Sequence, residues 1–393
     1  MYRFLAMIKR TLTTELLRLG SKYPVITITG PRQSGKTTLV QTVFPEHQYF
    51  TFENPDIRQR ALSDPAGFFL PETRNMILDE VQHVPQLLSY IQEITDRNKI
   101  SGQFVLTGSQ SLLLSEKVSQ SLAGRTAVLK LFPFDLQELS SSGLVLPATY
   151  EEMIFRGFYP RIYDQQIEPA DFYPFYFETY VQRDVRQILN IRDLNLFTNF
   201  VRLCAGRVGQ LLDYSSLAKD TGISVNTAKG WISLLEASYI ICLIHPYYNN
   251  FSKRIIKSPK LYFTDTGLAT WLLNIREPVQ LETHYLKGSL FENFIIMELF
   301  KQRIHAANTP DLWFFRDNNG NEIDCIKEGK LLSLIEIKSS RTFREDSLKG
   351  IKFIDRLVTN QTVEKIIISG GDESFRFKGN NVVSWKHLAS ITI

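Results

Sequence analysis

Eight residues, Gly30-Pro31-Arg32-Gln33-Ser34-Gly35-Lys36-Thr37, follow directly on the β-branched run Val25-Ile26-Thr27-Ile28-Thr29. Glycines at 30 and 35 let the backbone turn successive N–H groups inward, and a ring of inward N–H groups is a concave site for phosphate. Lys36 then reaches the β- and γ-phosphates, the Thr37 hydroxyl can ligate Mg²⁺, and Thr38 continues into a helix whose positive end faces the anion. Strand, glycine loop and helix come in the order the motif requires, so residues 30–38 are expected to form a P-loop that binds ATP with Mg²⁺.

An acid pair ends the next informative run, Met76-Ile77-Leu78-Asp79-Glu80. Carboxylates placed there project from the carboxyl end of a strand, the edge where open α/β sheets bind ligands. Asp79 is expected to hold Mg²⁺ through its water shell and Glu80 to polarise the attacking water. For an isolated Asp-Glu the ordinary alternative is a helix N-cap. Thr107-Gly108-Ser109-Gln110 ends another strand and offers a hydroxyl or amide, Thr107 first, to orient that water, the ordinary alternative being a strand-to-helix cap by Ser109. Arg125 is a candidate arginine finger toward a neighbouring copy, or else a cation completing a helix C-terminus. The guanine-reading Asn-Lys-x-Asp is missing, since Asn98-Lys99 continues as Ile100-Ser101, which argues against a GTPase. The acid pair and the helix-turn-helix described below argue against a small-molecule kinase.

These side chains need a scaffold. Short apolar runs at 25–29, 48–52, 75–78, 103–107 and 127–131 alternate with helical or polar segments, the pattern of a parallel sheet covered by helices on both faces. A helix-compatible run covers 110–123. Upstream, Leu5, Ile8, Leu12 and Leu16 recur at helical spacing while Lys9, Arg10, Glu15 and Arg18 interrupt them, which predicts an amphipathic helix and not a signal peptide.

The stretch 24–139, with Ser121-Leu122-Ala123-Gly124-Arg125 and Leu131-Phe132-Pro133-Phe134-Asp135-Leu136-Gln137-Glu138-Leu139, resembles the AAA-superfamily ATPases that prokaryotes fuse to a poorly characterised C-terminal domain. Further phrases carry the resemblance over about residues 20 to 340: Gly157-Phe158-Tyr159-Pro160, Thr179-Tyr180-Val181-Gln182-Arg183-Asp184-Val185 and Tyr262-Phe263-Thr264-Asp265-Thr266-Gly267-Leu268. It implies an ATP-binding cytosolic protein and assigns those phrases no chemistry.

Past residue 140 the patterns change. Phe172, Tyr173, Phe175, Tyr176, Phe177 and Tyr180 cover every face of a helix, which favours packing over base stacking. Arg183 and Arg186 lie nearby and are further candidates to approach nucleotide. A helix ending at Gly222, with Ser224 capping the next, reads as a helix-turn-helix, and 239–244 with 260–263 as the strands of a wing. If that module reads DNA, Asn226, Thr227 and Lys229 face the groove, and Lys253, Arg254, Lys257 and Lys260 contact phosphate. The alternative is a winged helix that docks on protein.

The C-terminal third carries Glu292 in a helix-patterned segment, 288–300, then strands at 312–315, 322–326 and 332–338. Asp324 falls in the second strand, and Glu336 and Lys338 share one face of the third. Helix Glu, hairpin Asp and Glu-x-Lys together resemble the restriction-endonuclease-like core, in which such carboxylates gather Mg²⁺ against a phosphodiester and the lysine stabilises charge. A Glu-x-Lys on a strand is also common as a solvated ion pair. The last stretch, 358–393, is expected to finish this domain's sheet.

With 393 residues, 44% of them hydrophobic and 22% charged, the chain has room for two or three domains. A net charge of +4 permits a local nucleic-acid patch without requiring one. Three dispersed cysteines suggest neither disulfides nor a zinc site, and the six histidines show no paired metal spacing. No apolar stretch reaches membrane length. The expected architecture is α/β: a P-loop domain over 1–140, a helical linker or lid over 141–200, a winged helix-turn-helix over 201–275 and a restriction-endonuclease-like domain over 276–393. The expected protein is a cytoplasmic Mg²⁺-dependent ATPase coupled to a nuclease-like module on DNA, or a regulatory ATP switch on a protein partner. Partner classes are ATP, double-stranded DNA, protein and a further copy of the chain, and not membrane.

Overall fold

A computed structural model describes residues 8–71, 74–109, 121–185, 193–247, 256–329, 331–358 and 361–390. The chain forms two compact units: the first is Met1–Phe134 with Ala237–Tyr239 and Arg303–Asn308, the second Asp135–Glu236, Ile240–Gln302 and Thr309–Ile393. The expected segments 141–200, 201–275 and 276–393 all fall in the second unit, apart from those two short inserts.

Five parallel strands in the order β2-β3-β4-β1-β5 build the first unit: β1 (Val25–Thr29), β2 (Gln48–Thr51), β3 (Met76–Asp79), β4 (Phe104–Gly108) and β5 (Thr126–Lys130). Each lies within one residue of its expected ends. Because side chains alternate, Met76, Leu78, Phe104 and Leu106 enter one core with Phe52, Phe68 and Ile91, while Ile26, Ile28, Ile77 and Val105 enter another with Leu12, Leu16, Leu39 and Val40. Burial on both faces explains why these strands are almost uninterrupted apolar runs.

The expected N-terminal helix is shorter than its periodicity suggests. Helix α1 spans Leu12–Gly20, with buried Leu12 and Leu16, while residues 8–11 lie outside it and 1–7 outside the described residues. Helix α2 (Lys36–Val43) starts directly after Gly35. The expected helical run 110–123 falls largely on 110–120, also outside the described residues. Among the described residues no helix is long and apolar enough to cross a membrane.

In the second unit, helix Pro169–Tyr176 runs into a π-helical segment, Phe177–Val185. Phe172, Tyr173, Tyr176, Phe177 and Tyr180 are buried there, whereas Phe175 is exposed. Helices Leu194–Ala205, Tyr214–Thr221 and Val225–Ala237 follow. Gly222 closes the middle one at φ 79, and Ser224 Oγ accepts the Thr227 N–H at 3.1 Å. An antiparallel hairpin joins β6 (Ile241–Ile244) to β7 (Lys260–Phe263). Tyr239, expected in that strand, instead sits at φ 58 just before it.

Helix Lys287–His305 then leads to a six-stranded mixed sheet, order β12-β13-β11-β10-β9-β8. Its strands are β8 (Leu312–Arg316), β9 (Glu322–Lys327), β10 (Leu332–Lys338), β11 (Val363–Ser369), β12 (Phe375–Phe377) and β13 (Asn380–Ser384). Strands β8 to β10 form an antiparallel meander, and β11 returns parallel to β10 after helix Lys349–Leu357.

Candidate functional site

Strand register gathers the first site. Pairing of Leu78 with Leu106 brings Asp79 level with Thr107, and pairing of Ile28 with Thr107 brings both level with the end of β1, where the glycine loop starts. Gly30, Gln33 and Gly35 all have positive φ, at 147, 61 and 92. A Cβ on Gly30 would lie 2.1 Å from the Leu131 carbonyl oxygen, so only glycine fits that close approach. The Lys36 ammonium folds back onto its own loop, donating to Gly30 O at 3.0 Å and Pro31 O at 2.8 Å. Burial lowers its pKa to about 8 against the opposing pull of Glu80 and Asp79, with Arg32 adding to the lowering.

Asp79 collects three hydroxyls. Thr37 Oγ1 lies 3.2 Å from both carboxylate oxygens, the Tyr49 phenol donates at 2.7 Å, and Thr107 Oγ1 donates to Oδ1. The neighbouring Glu80 carboxylate accepts Ser109 Oγ at 3.0 Å, the Ser109 N–H at 3.3 Å and the Gln82 amide. Burial acts to raise the Glu80 carboxyl, but the Lys36 ammonium, the Gln82 amide, Arg32 and the Ser109 hydroxyl outweigh it and hold it below the ordinary range. A hydroxyl and a carboxylate beside a glycine loop form the hard oxygen set that suits Mg²⁺ next to a triphosphate.

A second cluster lies within unit 2. Cys325 pairs with Ile335 across β9 and β10, which sets Asp324 and Glu336 side by side on the same sheet face. Lys338 Nζ is 2.6 Å from Glu336 Oε1 and 3.5 Å from Asp324 Oδ2, and the latter oxygen also accepts the Ile337 N–H at 2.7 Å. Glu336 Oε2 is buried without a hydrogen-bond partner, an orphaned oxygen that fits a cation. Burial, reinforced by Asp324, pushes the Glu336 carboxyl up to about 8 despite Lys338.

Glu292 lies close enough to Asp324 for their charges to interact, but its carboxylate is held by other partners. Its Oε1 accepts the Lys260 ammonium at 2.9 Å and the Tyr262 phenol at 2.6 Å, and Lys260 also meets Glu322 at 2.6 Å. Burial opposes the charge on Lys260, but Glu292, Asp324 and Glu322 prevail and hold it above the usual lysine range. The expectation that Lys260 contacts DNA phosphate is therefore corrected: it is 2% exposed and spent on carboxylates.

Residues 22–140 match a family model described as an AAA domain. The match supports a P-loop AAA-type ATPase in this segment. Residues 147–279 and 287–388 match two models described as domains of unknown function, DUF8612 and DUF4143. An uncharacterised protein of Mycobacterium tuberculosis is 29% identical over 326 residues, 81% of this chain and 71% of that protein. One from Methanocaldococcus jannaschii is 24% identical over 397 residues, 92% of this chain and 85% of its own. Among solved structures, a Walker-type ATPase of Pyrococcus abyssi is 16% identical, with a TM-score of 0.43 over 68% of this chain and 96% of its own.

Several candidates in the AAA domain sit differently from expectation. Thr107 does not present a free hydroxyl to water, because it donates to Asp79 and accepts the Glu80 N–H at 3.4 Å. Arg125 precedes Thr126, the partner of Val25 at the amino end of β1, and so lies at the sheet edge opposite Gly30. There it forms a two-pronged pair with Asp96 at 2.5 and 2.8 Å. Arg32 approaches Glu53 at 3.7 Å, Ser34 is buried, and Gln33 and Thr38 are exposed. Tyr49 and Gln82 join the acid pair without having been singled out for it, and Ser109, named only within 107–110, donates to Glu80; Tyr49 carries no signal in the sequence, since only the β2–β3 pairing brings β2 beside Asp79.

In unit 2, Asn226 and Lys229 are exposed on the first turns of helix Val225–Ala237, with the Lys229 ammonium 5.8 Å from the Tyr214 ring centre. Thr227 Oγ1 shares a hydrogen bond with Ser224 Oγ at 2.8 Å. Lys257 is exposed, whereas Lys253, Arg254 and Arg186 lie outside the described residues, and Arg183 falls within the π-helical segment.

Proposed function

We propose that this chain is a Mg²⁺-dependent ATPase whose AAA domain drives a winged-helix and nuclease-like module on DNA. The observation that carries the ATPase reading is the joint presentation of Thr37, Asp79 and Glu80 at the mouth of the P-loop. Bound ATP–Mg²⁺ would supply the phosphoanhydride and a cation held by Thr37 and Asp79. Lys36 exchanges the Gly30 and Pro31 carbonyls for phosphate oxygens. Glu80, kept ionised and aimed by Ser109 and Gln82, accepts a hydrogen bond from a water and so turns the water's oxygen toward the γ-phosphorus.

For the module, support comes from the Asp324–Glu336–Lys338 group with its orphaned carboxylate oxygen, set in a helix, meander, helix, parallel-strand order. Asn226, Thr227, Lys229 and Lys257 are the DNA-facing candidates. Phosphate release from the full chain, with and without duplex DNA, tests the coupling. Stimulation by DNA that disappears in Glu80→Gln supports it, and hydrolysis indifferent to DNA counts against it. A second reading, a switch that acts on a protein partner without cleaving DNA, is favoured by one observation: Lys260 already neutralises Glu292. Plasmid nicking in Mg²⁺ or Mn²⁺, lost in Asp324→Ala and Lys338→Ala, selects the first reading; no nicking in any nucleotide state selects the second.

A further inference from the structure

Arg10 reads from the sequence as one of the charges that interrupt an amphipathic pattern. Folding buries it to 6% exposure, with its guanidinium 4.8 Å from the Phe134 ring centre. A guanidinium out of water is costly unless its donors are satisfied. Two of its nitrogens make such bonds here: Nη1 donates to the Ser34 carbonyl at 2.7 Å and Nη2 to the Phe132 carbonyl at 2.6 Å. Ser34 is inside the P-loop, and Phe132 follows β5. One planar, charged fork therefore ties the phosphate loop to the segment after the neighbouring strand.

The peptide geometry gives this tie a consequence. In a trans peptide the C=O and the following N–H point to opposite sides. Capture of the Ser34 oxygen by Arg10 thus turns the Gly35 N–H the other way, away from Arg10. Gly35 stands at φ 92, a conformation open to more than one peptide orientation, so an external anchor on its preceding carbonyl matters. Lys36 holds the carbonyls of Gly30 and Pro31, and Arg10 holds that of Ser34, so the loop is fixed at both ends.

We propose that Arg10 is a positioning residue of the nucleotide site: it presets the Ser34–Gly35 peptide so that the Gly35 N–H faces a phosphate of a bound nucleoside di- or triphosphate. This rests on the P-loop reading. Two probes test it on the full chain: a fluorescent N-methylanthraniloyl ATP, and inorganic tripolyphosphate as its competitor. In Arg10→Met the affinity for both falls about tenfold or more, while Arg10→Lys, which keeps one donor, loses less. In steady-state hydrolysis KM rises and kcat stays near wild type, because the lost contact serves bound substrate and transition state alike. A residue that only props the fold would lower the melting temperature and the bound fraction but leave the affinity of the folded protein unchanged.

Wild-type chain that binds both probes alongside a folded Arg10→Met that binds them equally well overturns the proposal and spares the P-loop reading. Wild-type chain that binds neither probe overturns both. Should Arg10→Met not fold, Arg10→Lys decides: wild-type affinity there rejects the role.

Discussion

Glu80 owes its usefulness to partners that hold it without discharging it. Ser109 and Gln82 donate to its carboxylate, and the Lys36 ammonium outweighs the effect of burial, so it is ionised at neutral pH and fixed in direction. Glu80→Gln keeps the shape and removes the charge; hydrolysis is expected to fall about a hundredfold or more, with nucleotide affinity within a few fold of wild type. Phosphate release and nucleotide titration on one preparation read both, and equal loss of binding would refute the assignment. Lys36 makes a pH prediction. Its pKa of about 8 in the free protein lies within reach of ordinary buffers, and only the protonated amine attracts phosphate. Affinity for ATP is therefore highest below about 8 and falls as pH rises through that value, with proton uptake on binding. Titrations from pH 6.5 to 9.5 check the sign, and Lys36→Arg flattens the profile, since arginine keeps its charge throughout.

At the scale of elements, two of the phrases that carried no chemistry in the sequence, Gly157-Phe158-Tyr159-Pro160 and Tyr262-Phe263-Thr264-Asp265-Thr266-Gly267-Leu268, build one buried network. Asp265 caps the helix Thr266–Leu272, accepting the Leu268 N–H at 3.0 Å, and also takes the Phe158 N–H and the Tyr173 phenol, both at 2.7 Å. Gly157 sits against it at φ 68, where a Cβ would come within 1.9 Å of the Tyr173 oxygen. Gly157→Ala should cost about 2 kcal/mol or more in urea unfolding, and a neutral outcome would contradict this packing. The hairpin strand β7 supplies the other test. Lys260→Met leaves the buried Glu292 without its counter-ion and Glu322 with Arg316 at 3.4 Å, for a loss of about 3–5 kcal/mol. Adding Glu292→Gln should restore part of that stability; no restoration would mean that Lys260 contributes through packing alone. Such links were hidden in the sequence for a plain reason: Lys260 and Glu292 are 32 positions apart, and nothing in either local pattern points to the other.

For the molecule as a whole, two compact units imply that ligands stabilise locally. ATP–Mg²⁺ at a hundred times its dissociation constant stabilises the native state by about 2.7 kcal/mol. Hydrogen exchange should show that gain as protection at 25–40 and 76–80, within unit 1. Lys36→Ala should erase it, and protection confined to unit 2 would place the nucleotide elsewhere.

The P-loop, the acid pair and the five strands could be read along the chain because each is a local event: a β-branched run buried on both faces, a glycine turn, a carboxylate just past a strand end. Pattern also located Asp324, Glu336 and Lys338, since alternation along antiparallel neighbours is enough to align them. What could not be read are the side-chain pairings set by the order and register of elements that are not neighbours in the chain. Thr107 became a support for Asp79, Arg125 went to Asp96 at the far edge of the sheet, and Lys260 entered the acidic cluster. Arg10 entered the P-loop. Those pairings depend on strand order and register, which are set by packing among residues 24 to 32 positions apart and more, and no short pattern encodes them.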